Sequence, residues 1–214
     1  MQAILTGFFV TALCLCAQGQ ETQIKEIRGL PPRATPADYQ AQGQVGGVTI
    51  AAEFVGHFVP TPQGNLSTDE YVVVETGMFG PPEAHIKLFL GDFSLRINGK
   101  KTALPGQPYG MVIKSLKDPD WEPPAAAKSS SKTNVNTGGG GGQDKDPPAP
   151  VHIPIEVQRA MQQRIQKASL PEGDRTVPVA GLIFFQYSGK TQGIRSIELT
   201  YNGSAGKVTL ELQP

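Results

Sequence analysis

Three histidines, His57, His85 and His152, are the side chains best suited to proton transfer or metal ligation near neutral pH. Each is isolated: there is no His-x-His, no His-x-x-x-His, and no carboxylate at ligand spacing beside any of them. Only convergence in space would make them a site. Asp118, Asp120 and Glu122 alternate around Pro119 and Trp121. Hard cations want several oxygen ligands, but this run lacks the closing bidentate Glu of a calcium loop, so a solvated turn is the reading adopted. Ser94, Ser115, Ser188, Ser196 and Ser204 have no nucleophile-elbow context. A triad can be assembled from distant residues, so the sequence leaves catalysis open without pointing to it. Neither a metal nor a cofactor is expected. Tyr109, Trp121, Tyr187 and Tyr201 are the candidate binding residues, because an exposed ring stacks on a sugar or anchors a protein partner. For each alone, a core-edge ring with its polar end in water is the plainer reading.

The apolar run Ala3 to Cys16 is shorter than the roughly 20 residues of a membrane span, and polar Gln18, Gln20 and Glu21 follow. Small Ala17 and Gly19 flank Gln18 and suit a cut before Gln20. Residues 1–19 are therefore expected to be a secretory signal, although no Lys or Arg precedes the run. Cys14 and Cys16 both follow leucines, whereas a lipidated cysteine wants a small residue before it. Both are expected to leave with the signal, and the remaining chain then has no disulfide, thiol nucleophile or thiolate ligand. This places the protein outside the cytoplasm, in a periplasm, at a cell surface or in the medium, with no transmembrane anchor after cleavage. Formal net charge is zero over 214 residues, and no basic stripe interleaved with aromatics suggests nucleic acid. Twenty-five glycines and 19 prolines, with few helix-forming runs, favour sheets joined by turns.

Several elements carry period-two alternation. Val48, Ile50, Ala52 and Phe54 share one face, and Gly56 marks a bend or bulge. Tyr71 to Thr76 is dense in β-branched residues and reads as central. Ile86, Leu88 and Leu90 alternate in one phase, Phe93, Leu95 and Ile97 in the opposite phase. Gly91-Asp92 between them predicts a bulge or a corner where the chain changes sheets. Asn98-Gly99 predicts a tight turn returning the chain through Leu104, and Tyr109 to Leu116 reads as a short strand. Val177 to Tyr187 is apolar on both faces and reads as a buried strand. Ile194 to Tyr201 and Lys207 to Leu212 form a hairpin with one wet face. Residues 154–170 are the one strong helix, with Val157, Ala160 or Met161, Arg164 or Ile165, and Ala168 at intervals of three and four. It is expected to cover an open end or edge of the sheets, or else to bind a partner.

Residues 20–44 read as an N-terminal arm broken by Pro31, Pro32 and Pro36. Residues 122–150, with five consecutive glycines from Gly138 to Gly142, read as a flexible insert with too little apolar surface to order itself. The remainder, 45–214, reads as a single domain around that insert, or as two small domains joined by it.

Gly181-Leu182-Ile183-Phe184-Phe185 followed by Ile197-Glu198-Leu199-Thr200-Tyr201, with Tyr71 to Val74 and Phe93 to Ile97 as middle strands, resembles immunoglobulin-like β-sandwich domains of secreted bacterial proteins of uncharacterised function. The resemblance implies an all-β, antiparallel sandwich of about eight or nine strands, with a small barrel as the rival fold. It transfers no functional residues, and the cysteine pair and core tryptophan of antibody domains are missing. The expected function is a non-enzymatic exported binding or structural module of the cell envelope with a protein or glycan partner. A carbohydrate-binding protein using the aromatics, or a hydrolytic enzyme, are the alternatives.

Overall fold

A computed structural model describes residues 29–121 and 153–214. The expected signal, the insert at 122–150, and His152 lie outside the described residues.

Eight strands form one antiparallel sheet: β1 (Ala41–Val45), β2 (Val48–Gly56), β5 (Tyr71–Phe79), β11 (Val179–Gln186), β8 (Leu104–Gln107), β7 (Phe93–Ile97), β12 (Ile197–Gly203) and β13 (Gly206–Leu212), in that order. Its two ends approach each other. Gln40 Nε2 donates to the Gln213 carbonyl at 3.0 Å. A Cβ on Gly43 would meet Val208 Cγ2 at 2.7 Å, and one on Gly206 would meet Val45 Cγ2 at 2.9 Å. These contacts run in antiparallel order, so the sheet is a nearly closed barrel whose last seam is held by side chains.

The all-β, antiparallel expectation is what the structure shows. The barrel-like closure depends on β8, which pairs with two residues of β7 and two of β11 and so joins the layers that a sandwich would keep apart. The interior is filled: Ile50, Val74, Phe93, Leu95, Phe185 and Tyr201 belong to one buried cluster. Burial of each such side chain contributes about 1.5–3 kcal/mol.

A second cluster lies outside the barrel on β5 and β11. Tyr71, Val73, Leu182 and Phe184 are covered by Val59 of β3 (Phe58–Thr61), Leu66 of β4 (Gly64–Thr68) and helix α2 (Ile155–Ala168). β5 and β11 are therefore buried on both faces, which is why their sequences are nearly continuous in apolar residues. Helix α2 buries Met161, Ile165 and Ala168 at helical spacing. It covers a sheet face. The edge of β11 is instead protected by the residues just after the helix, where the Leu170 N–H donates to the Leu182 carbonyl at 2.9 Å.

The phase change at Gly91-Asp92 is a sheet-switching corner. β6 (His85–Leu88) pairs with β10 (Gly173–Thr176) in a separate two-stranded sheet, a 3₁₀ turn covers Leu90–Asp92, and β7 then enters the barrel. Ile86 and Phe93 both reach the barrel core, so the turn restores the inward face. At the following turn Asn98 and Gly99 both have positive φ, 54° and 64°, and the Lys100 N–H donates to the Ile97 carbonyl at 3.2 Å; strand pairing then resumes only at Leu104, opposite Leu95. The register between β2 and β5 shifts beside Gly56, a bulge at the expected place.

Three local expectations are corrected. Tyr109 to Leu116 is not a strand: it forms the short helix α1 (Tyr109–Val112), a 3₁₀ turn, and β9 (Leu116–Lys117). Val112 and Leu116, four residues apart, are the buried positions, a helical spacing too short in extent to outweigh the local β-branched composition. Pro60 to Asn65, whose prolines, glycine and asparagine read as a turn-rich loop, instead form the tip of the β3–β4 hairpin. The expected arm contains β1 and a segment that docks on the barrel, where Leu30 bridges to Ala180 and the Gly29 N–H donates to the Lys167 carbonyl at 2.8 Å.

Candidate functional site

Beside β8 the barrel wall is interrupted. β8 ends its pairing with β11 at Gln107, opposite Phe184, and Ser169–Leu170 takes over the β11 edge from Leu182. The approach is close enough to require glycine: a Cβ on Gly181 would lie 2.4 Å from Leu170 Cα. Between these two covers lies a cavity of about 170 Å³. Leu182 and Phe184 form its floor, Leu90, Pro108 and Tyr109 its walls, and Gln107, Gln166, Glu172 and Arg175 supply polar groups.

The two charged residues are fixed by backbone groups and not by each other. Glu172 Oε1 accepts the Leu90 N–H at 3.0 Å. Arg175 donates from Nε and Nη2 to the main-chain carbonyl of Glu172 at 2.9 and 2.5 Å. The floor belongs to a strand paired along its whole length with β5, so the cavity is preformed.

The four aromatics do not converge on this or any shared groove. Tyr109 lines the cavity, and the other three do not. Tyr201 is 1% exposed and packs against Phe93 inside the barrel at a centroid distance of 5.1 Å. Tyr187 is half-buried and stacks on His57 at 6.4 Å. Trp121 is half-buried next to the Asp118 turn.

Nor do the described histidines converge. Both ring nitrogens of His57 face backbone carbonyls, Nδ1 that of Tyr71 at 2.7 Å and Nε2 that of Gly189 at 2.9 Å. A singly protonated imidazole donates to one of them, a doubly protonated ring to both. Either way His57 is committed to tying β5 to the loop after β11. His85 Nδ1 contacts Asp174 Oδ1 at 3.2 Å, and both side chains are largely exposed. Ser204 lines the same open depression, but its hydroxyl donates to the Lys87 carbonyl at 3.1 Å, so it is not turned toward the imidazole as a nucleophile would be. Asp118, from the carboxylate run, accepts Arg164 Nη1 at 2.6 Å and the Asp120 N–H at 3.1 Å, the pattern of a pinned turn. Among the described residues no group of three or more His, Cys, Asp or Glu is placed to hold a metal ion, and no helix is long and apolar enough to cross a membrane.

A charged cluster ties down the N-terminal segment. Arg33 donates to both oxygens of Glu75, at 3.1 and 2.8 Å, and to Glu53, with its guanidinium 4.5 Å from the centre of the Tyr39 ring. The bonds to Glu75 and then Glu53 outweigh burial and raise the Arg33 pKa further. Burial raises the Tyr39 phenol above its ordinary value, partly offset by the Arg33 N–H at its oxygen.

Of the cavity's lining the sequence singles out Tyr109, whereas Gln107, Gln166, Glu172 and Arg175 carry no local signal. Pro171-Glu172-Gly173 reads locally as a helix stop, and nothing in its spacing announces that it faces the end of β8. Compared with known protein families, with curated proteins and with solved structures, the chain matches none.

Proposed function

We propose that this protein is an exported, non-enzymatic binding module of the cell envelope. One observation carries the reading: a preformed cavity with an apolar floor and a few fixed polar groups interrupts the wall of a barrel whose interior is a buried apolar cluster. That combination is the usual form of a small-ligand site. Export follows from the N-terminal apolar run and the absence of cysteine after Cys16. Kinship with immunoglobulin-like domains rests on the strand sequences around Gly181 and Ile197. Sugar stacking across several aromatics draws no support from a buried Tyr201 and a Tyr187 already stacked on His57.

A thermal-shift screen of diverse small molecules tests the reading, using the full chain and a Gln166→Trp variant that blocks the cavity mouth. At least one compound class is expected to raise the melting temperature of the parent and not of the blocked variant. Chemical conversion of a stabilising compound would make the protein an enzyme and overturn the reading. So would an absence of stabilisation across all classes.

A further inference from the structure

We propose that the cavity beside β8 binds a free α-amino acid with one apolar side chain, an assignment that rests on the binding-module reading above. Size gives the first constraint. An engineered cavity of about 150 Å³ in another protein accepts benzene, so about 170 Å³ admits one ring or one branched aliphatic side chain. A sugar chain or a nucleotide cofactor does not fit inside it whole. Leu182 and Phe184 beneath, with Leu90 and Tyr109 beside, give that side chain an apolar seat.

Charge gives the second constraint. A carboxylate and a guanidinium line the same cavity, three residues apart in sequence, yet the bonds each makes go to main-chain groups and not to the other's charge. Glu172 is held by the Leu90 N–H through Oε1 alone, and Arg175 is held by a carbonyl through Nε and Nη2. Among the described residues, Glu172 Oε2 and Arg175 Nη1 have no partner. The site therefore presents one acceptor for an ammonium and one donor for a carboxylate at the mouth of a pocket for one side chain. A zwitterionic amino acid supplies those complementary groups, and charge-assisted hydrogen bonds are the strong ones.

Calorimetry and saturation-transfer NMR on the full chain test this with four probes. They are L-phenylalanine, phenylalanine amide, N-acetylphenylalanine and N-acetylphenylalanine amide. L-phenylalanine is expected to bind, and loss of either charge is expected to weaken binding about tenfold. Arg175→Gln should weaken phenylalanine and leave the amide unchanged. Glu172→Gln should weaken phenylalanine and leave the N-acetyl compound unchanged. Both positions are polar and at least partly exposed, and an unchanged melting temperature will show that the variants fold. Equal binding of the doubly blocked probe would overturn the amino-acid assignment and leave an apolar anchor site. Equal binding of N-acetylphenylalanine would overturn it in favour of a peptide C-terminus, and equal binding of the amide in favour of an N-terminus. If no probe binds while another compound class stabilises the parent, the assignment fails and the module reading survives.

Discussion

Glu53 and Glu75 stand directly opposite each other on β2 and β5, and the guanidinium of Arg33 joins their carboxylates. Like charges directly opposed across a sheet are destabilising. The segment before β1 thus supplies the cation that this part of the barrel requires, and the carboxylates in turn fix where that segment leaves the domain. Arg33→Met is expected to cost about 2 kcal/mol in urea unfolding, because it strands two carboxylates, one of them largely buried. Adding Glu53→Gln and Glu75→Gln should recover most of the loss. Equal stability of Arg33→Met and the parent would show that the cluster carries no stability.

Gly181→Ala is expected to destabilise by about 2–4 kcal/mol, since its Cβ would press on the Leu170 backbone and break the Leu170–Leu182 hydrogen bond. Gly193→Ala, where a Cβ meets nothing within 4 Å, should stay within about 0.5 kcal/mol of the parent. Chemical unfolding of the pair separates close approach from a general effect of alanine.

Ile165→Ala on α2 should cost about 2–5 kcal/mol, whereas exposed Ile155→Ser on the same helix should be nearly neutral. Comparable small effects at both positions would mean that the helix is detachable and free to bind a partner, the alternative that its sequence left open.

Burial raises the Asp92 carboxyl above the ordinary carboxylate value, with a hydrogen bond at Phe89 acting in the opposite direction. A folded pKa above the unfolded one means that Asp92 favours folding below the unfolded value, about 3.9, and loses that contribution as pH rises through the folded value. Asp92→Asn should therefore melt above the parent at pH 7, and the difference should shrink on acidification toward about pH 3. A difference that grows on acidification would contradict this sign.

Mass spectrometry of the protein recovered from its source cells should find a chain beginning at Gln20. Retention of residues 1–19 in the recovered protein would remove the basis for export.

Much of the fold is written in periodicity. Alternation in β2, β7, β12 and β13 encodes one buried face, and two-sided apolarity in β5 and β11 encodes strands covered on both sides. The reversal of phase at Gly91-Asp92 already encodes a break, a bulge or a corner, because side chains on a strand alternate and a change of phase must be absorbed by the backbone. These are local signals, carried by neighbouring residues. The cavity is of another kind. Gln107 lies 65 residues before Glu172, and no period connects them. Where β8 stops pairing, and which segment replaces it on the β11 edge, depends on long-range hydrogen bonds and on the close approach allowed at Gly181. The same holds for the aromatics: Tyr109 and Tyr201 are equivalent by composition, and only packing puts one at a cavity and the other in the core. Sequence alone determined the strand faces, the helix and the break at Gly91-Asp92, since each is set by the chemistry of adjacent residues. Glu172 and Arg175 are neighbours in sequence, but their meeting with the end of β8 and with the floor on β11 was decided by tertiary structure, since strand order alone brings those segments together.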